Sequence, residues 1–263
     1  WRSFRLRAIN KQLAGRLAVY GLPLAVHLVL AQLIAGTDRL LLGFLRDEET
    51  VGLYAIAYDL TWQSILMIAV VVSTAAAPLV FRRMDQEGPN AARLQLSINR
   101  DGLLGICAPL VVGVILISEQ FAGVLLGSDY AEGASAIIPW IAMAVLFYTI
   151  KSGYTDLTFQ LAARTTMQIW PTLITALVNV LLNFLFIPEF GVGGAAGATA
   201  LSYGVGLALS YGLGHRLFAL PSFTGNTYRI MAAVSLMALA LLLVSSPPTI
   251  FGLARNVMLA GSV

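Results

Sequence analysis

Stretches of about 20 apolar residues, the length that crosses a bilayer as a helix, recur along the whole of this chain. Breaks in hydropathy place roughly seven of them near residues 16–37, 51–80, 102–118, 134–162, 166–187, 192–218 and 229–246, with a partial eighth from 249. Hydrocarbon offers the backbone no hydrogen-bond partner, so a spanning segment must be a helix or a strand of a closed barrel. Barrel strands alternate apolar and polar residues, and these runs are continuous. Composition agrees. Only 11% of residues are charged, against about a quarter in soluble domains, too few to give each helix a solvated face. The sequence therefore predicts an all-α, polytopic membrane protein of about seven transmembrane helices plus a partial eighth.

The connections supply an independent test of the span count. On one side they hold Arg2, Arg5, Arg7, Lys11 and Arg16, then Arg82, Arg83, Arg93 and Arg100, then Arg164, then Arg216 and Arg229. On the other side the only basic residues are Arg39 and Arg46, set among Asp38, Asp47, Glu48 and Glu49. The remaining loops there carry Glu119, Asp129, Glu132 and Glu189. Positive charge stays in the cytoplasm, so the arginine-rich side, and with it the N-terminus, is expected to be cytoplasmic. All loops are short. The longest, about 82–100, is expected on that side with a helical stretch at Asn90–Asn99.

Charged residues inside spans face a cavity or a partner, because lipid penalises them. His27, Asp38 and Arg39 on the first span, Asp59 on the second, and Lys151 and Asp156 on the fourth are of this kind. Tyr20, His27 and Asp38 return close to one helix face. Asp38 and Arg39 either pair at the outer interface or face a cavity, and His27 reads as a packed neutral imidazole. On the fourth span Tyr148, Ser152, Asp156 and Gln160 form one stripe. Lys151 lies about 140° from Asp156 around an α-helix, so each is expected to find its partner on another helix, in a water-filled cavity or, for Lys151, in an anionic ligand; the structural alternative is an ion pair of Lys151 with Asp59 or Asp156 from a neighbouring helix. Gln168, Thr172, Thr175, Asn179 and Asn183 share one narrow face of the fifth span, and either line a cavity or bond helix to helix.

Other chemistry finds no support. A lone Cys107 excludes an intrachain disulfide and a thiolate cluster. The two histidines lie on different spans and no metal or nucleophile motif is present, so neither a cofactor nor an enzyme activity is expected. Gly191-Val192-Gly193-Gly194-Ala195-Ala196 matches a dinucleotide fingerprint in letters only. It follows a membrane span and Pro188 instead of a strand, and no acidic residue follows Glu189. Its glycines and alanines suit a tight turn and close helix approach.

Several stretches carry a family resemblance. Tyr20-Gly21-Leu22-Pro23, Thr37 to Gly43, Val51 to Tyr58, Leu125 to Tyr130, Asn179 to Asn183, Ile187-Pro188 and Gly191 to Ala200 occur in the order, and at about the spacing, of the C-terminal half of O-antigen-type polysaccharide flippases. These belong to the multidrug/oligosaccharidyl-lipid/polysaccharide exporter superfamily. The resemblance implies two six-helix lobes working by alternating access, this chain being the second, joined to a missing N-terminal lobe. Trp1 at the start and the short apolar stretch after Pro247-Pro248 fit an excerpt of a longer chain. The expected divisions are a basic cytoplasmic linker over 1–15, the lobe over 16–218 and further C-terminal transmembrane sequence over 219–263.

The implied activity is movement of an undecaprenyl-pyrophosphate-linked oligosaccharide across the bacterial inner membrane for polysaccharide biosynthesis. The partners are that lipid-linked oligosaccharide, membrane lipids and a coupling H+ or Na+, with no nucleic acid. Lys151, Arg39 and Asn179 are the substrate-binding candidates, and Asp59, Asp156 and Asp38 the ion-coupling candidates. The alternatives are a multidrug or small-molecule antiporter of the same superfamily and a membrane sugar-lipid polymerase or ligase. The short outward loops speak against the last.

Overall fold

In the computed structural model, residues 11–126 and 128–243 are described, and every regular element among them is helical. The basic residues before Lys11 and the apolar stretch from 249 lie outside the described residues. The order is α1 Lys11–Leu45, α2 Glu48–Glu87, α3 Pro89–Leu116, α4 Ser118–Leu125 and α5 Ser128–Ile150. A π-helical turn, Lys151–Thr155, continues α5 into α6, Leu157–Leu161. After a 3-10 turn at Thr165–Gln168 come α7, Ile169–Leu217, and α8, Gly225–Leu243.

Six helices are long and apolar enough to cross a membrane, α5 through α6 counting as one. The longest is a hairpin of two. Gly191 takes φ 56°, ψ −127°, a left-handed conformation that glycine adopts without a Cβ clash. Beyond it the chain runs back along itself. Asn179 donates to Thr199 at 3.3 Å across 20 residues, a separation of about 30 Å in a straight helix. A Cβ on Gly206 would lie 2.1 Å from Thr175 Oγ1, so the arms touch backbone to side chain there. The second arm brings the crossings to seven and agrees with the expected spans 166–187 and 192–218. The chain is a polytopic, all-α membrane protein.

Relative direction follows from contact spacing. Thr165 to the Tyr20 carbonyl, His27 to Thr172 and Asn183 to Asp38 each join residues 145 apart. A constant offset means that α1 and the first arm of α7 run parallel, as the first and fifth passes of an alternating thread must. At one end Arg46 donates to the carbonyls of Ile187 and Pro188, at 3.0 and 2.7 Å. At the other the Arg93 guanidinium lies 5.4 Å above the Phe218 ring.

The expected 82–100 loop is a correction. α2 runs to Glu87 and α3 starts at Pro89, so the connection is the single residue Gly88 at φ 86°. Arg82, Arg83 and Arg93 of that region sit on the helix ends flanking Gly88. At the α1–α2 turn Asp47 caps α2, its carboxylate accepting from the Thr50 N–H at 2.8 Å. Those bonds from Thr50 hold its carboxyl below the usual carboxylate range. Between the helices Ile34, Tyr54, Ile65, Ile137 and Ile141 form one buried core, and Leu96, Leu103, Cys107 and Leu157 a second. Leu33, Phe44, Met67, Leu181 and Leu242 are exposed, as lipid-facing side chains must be.

Candidate functional site

Polar side chains gather between α1, the α7 hairpin and their neighbours at two depths. His27 and Asp38 are 11 residues, or about 16 Å, apart on α1, and each anchors one group.

The group at His27 is built by the π turn. In an α-helix Lys151 and Asp156 point apart. Here the Asp156 N–H bonds to the Lys151 carbonyl at 2.8 Å, one residue further than the α-helical register. This wide turn swings Asp156 under Lys151, and Nζ donates to Oδ2 at 2.8 Å. The expectation that the two would seek separate partners is therefore corrected: ideal α-helical increments do not hold across this turn. Lys151 and Asp156 are 4% and 1% exposed. Ser210, from the second arm of α7, donates to Asp156 Oδ1 at 2.6 Å and itself accepts from Thr155 at 2.9 Å. Lys151 also reaches Thr172 Oγ1 at 3.3 Å. His27 enters the same group, with Nδ1 2.7 Å from Thr172 Oγ1 and Nε2 3.8 Å from Asp156 Oδ2.

The group at Asp38 has no such charge balance. This carboxylate is fully buried and makes no ion pair among the described residues. It accepts from Tyr54 at 2.7 Å, from Asn183 at 2.7 Å, from Asn179 at 3.1 Å and from Thr199. The Asn179 and Asn183 side-chain carbonyl oxygens are buried without a hydrogen-bond partner. The polar stripe on the fifth pass thus serves two tasks: Thr172 joins the His27 group, and Asn179 and Asn183 hold Asp38.

Arg39, one residue on, turns the other way. It forms an ion pair with Asp59 at partly exposed positions and lies 5.5 Å above the Tyr58 ring. Asp38 and Arg39 are therefore not partners, and Asp59 does not approach Lys151. Nearby, the Tyr58 and Trp62 rings stack at 5.1 Å, and Trp62, Tyr148 and Tyr203 meet tilted or edge-on at 5.4–5.7 Å.

Residues 2–135, about half of the chain, match the family described as polysaccharide biosynthesis protein. The chain belongs to that family. Two relatives come from Haloferax volcanii. A probable low-salt glycan biosynthesis flippase is 28% identical over 182 residues, 65% of this chain and 36% of the relative. A probable flippase is 29% identical over 181 residues, 66% of this chain and 36% of the relative. The chain thus spans little more than a third of these relatives' length. Among solved structures it resembles the lipid II flippase MurJ in an inward closed conformation, with TM-score 0.74 and 18% identity over 90% of this chain and 50% of that one. An outward-facing multidrug resistance MATE family transporter of the MOP superfamily gives TM-score 0.65 and 16% identity over 87% of this chain and 53% of that one. These two likenesses show the fold.

A third polar group escaped the sequence reading, which placed Arg100 in a loop. Arg100 is 3% exposed inside α3, bonded to Asp101 and to the carbonyls of Pro221 and Ser222. Thr224 and Thr227 donate to Asp101 at 2.8 and 2.7 Å. The group fastens the start of α8 to α3. Beside it a cavity of about 970 Å³ separates α8 from the second arm of α7 and reaches Tyr154 and Thr155 of the π turn. The adjacency of Arg100 and Asp101 was its one sequence signal.

Proposed function

We propose that this chain forms the C-terminal lobe of a two-lobe, alternating-access transporter that carries a lipid-linked oligosaccharide across the membrane. In this reading residues 1–15 are the inter-lobe linker, 16–218 the lobe and 219–263 additional transmembrane sequence, with the arginine-bearing turns in the cytoplasm. Family membership and the flippase relatives support the class of activity. The finer substrate is a sugar chain on undecaprenyl pyrophosphate in a bacterial inner membrane.

One observation carries the reading: Lys151 is a buried cation, balanced by one carboxylate within a polar group that four passes share. Buried ammonium groups are costly in lipid and are kept for ion or substrate paths. A pyrophosphate arriving between the lobes takes Lys151 from Asp156, exchanging one anion for another. Arg39 offers a second, more exposed cation about three turns from His27 on α1.

The coupling ion is assigned to Asp38. Of the three candidate carboxylates, Asp59 and Asp156 are neutralised by Arg39 and Lys151, and Asp38 is held by neutral donors alone. A proton satisfies it directly. So does a monovalent cation, because turning the Asn179 and Asn183 amides over sets their carbonyl oxygens beside Asp38 and Thr199. Asn179 accordingly moves from the substrate to the ion site.

The test replaces Lys151 with Ala in the full-length parent, in a strain lacking its own flippase. Surface polysaccharide is expected to fall to background at normal protein level. Unchanged polysaccharide at that level removes Lys151 from transport.

A further inference from the structure

His27 and Lys151 reach for the same two oxygens. Thr172 Oγ1 is 2.7 Å from His27 Nδ1 and 3.3 Å from Lys151 Nζ. Asp156 Oδ2 is 3.8 Å from His27 Nε2 and 2.8 Å from Lys151 Nζ. The other carboxylate oxygen, Oδ1, is taken by Ser210. The two basic side chains therefore stand in competition, and the present arrangement, with Lys151 holding Asp156, is one of two that the same oxygens support.

We propose that His27 is a positioning residue of the substrate site, whose protonation takes Asp156 from Lys151 and frees the ammonium to hold an anionic phosphate. This rests on Lys151 being the phosphate-binding residue.

With His27 neutral, the charges of Lys151 and Asp156 sum to zero and an anion gains little there. One proton from water, bonded to an imidazole nitrogen, makes both ring nitrogens donors. The imidazolium then donates to Thr172 Oγ1 and, after closing the 3.8 Å gap, to Asp156 Oδ2. The group now carries one net positive charge. Two cations sharing two oxygens repel, and Lys151, on the longer and more flexible stem, is the one displaced.

Among the described residues the charged groups facing His27 from other elements are Asp156 and Lys151, both on the fourth pass. The first arm of α7 presents the uncharged Thr172, and Tyr20 lies two turns away on α1 itself. Histidine is the side chain suited to this task, since its unperturbed pKa of about 6.5 lies within the physiological range. Asp156 is able to serve both cations only because the π turn holds it beneath Lys151.

The test measures inorganic pyrophosphate binding to the full-length protein in nanodiscs at pH 8 and pH 6. Pyrophosphate's own titration is common to all variants, so each is compared with the wild type. Affinity is expected to rise about tenfold more in the wild type than in His27→Gln between those pH values. Asp156→Asn, which removes the carboxylate under competition, is expected to bind at both pH values with little change between them. An equal rise in His27→Gln overturns the role of His27. Full binding by Lys151→Gln at both pH values instead overturns the phosphate reading of Lys151, so the two failures are distinguishable.

Discussion

The groups around Asp38 and Lys151 both lie between α1 and the α7 hairpin yet solve the burial of charge in opposite ways. Asp38 is stabilised by four neutral donors, whereas Asp156 is stabilised by an ammonium, with His27 within reach. A carboxylate bound by dipoles alone keeps its negative charge uncompensated and so remains open to a proton or a small cation. A paired carboxylate is closed to both until its partner leaves. In the proposed reading the first group receives the ion and the second the anionic substrate, both against α1 and the first arm of α7.

The sharpest way to break that distinction is to remove Asp38. Asp38→Ala leaves four buried donors facing a void and is expected to cost on the order of 3 kcal/mol of stability or more, read by thermal unfolding in detergent. Asp38→Asn keeps most of the shape and should retain the fold while losing any dependence of transport on an ion gradient. An Asp38→Ala protein as stable as the wild type contradicts the account of these contacts.

Lys151 tests the other half. Lys151→Met alone strands Asp156 and should destabilise by about 3–5 kcal/mol, whereas a second change, Asp156→Leu, should restore part of that loss. If the double variant is the weaker of the two, Asp156 does not depend on Lys151 for its burial.

The hairpin that supplies both groups comes next in size. Gly206→Ala places a methyl 2.1 Å from Thr175 Oγ1 and is expected to cost about 1–3 kcal/mol by forcing the arms apart. Gly212→Ala, on the same arm with no atom in the way, serves as the control.

Outside the spans the effects shrink. Asp47→Ala removes the α2 cap and should lower the unfolding temperature less than any change above. Because the folded state depresses the Asp47 pKa, its contribution is present above the ordinary carboxylate range and fades as pH falls through the depressed value. The difference between Asp47→Ala and wild type should therefore narrow on acidification.

Much of this architecture was legible in the sequence. Continuous apolar runs set the passes, and Pro188 with Gly191 marked the hairpin tip. The regular spacing of Thr172, Thr175, Asn179 and Asn183 marked a buried polar face. What remained hidden depended on local departures from the ideal helix or on neighbours distant in sequence. The π turn brings Lys151 onto Asp156 against α-helical periodicity. Helix faces alone do not say that His27 meets Thr172 across 145 residues. Arg100 looked like loop charge because Arg82, Arg83 and Arg93 precede it, yet Asp101, Thr224 and Thr227 make its burial possible.

One assay on the full-length protein puts the division of labour to the proof: thermal stabilisation by sodium and by pyrophosphate, compared in Asp38→Asn and Lys151→Gln. The account predicts that Asp38→Asn keeps the pyrophosphate response and loses the sodium response, with Lys151→Gln doing the reverse. If each variant lost both responses, or neither, the two groups would not be separate sites.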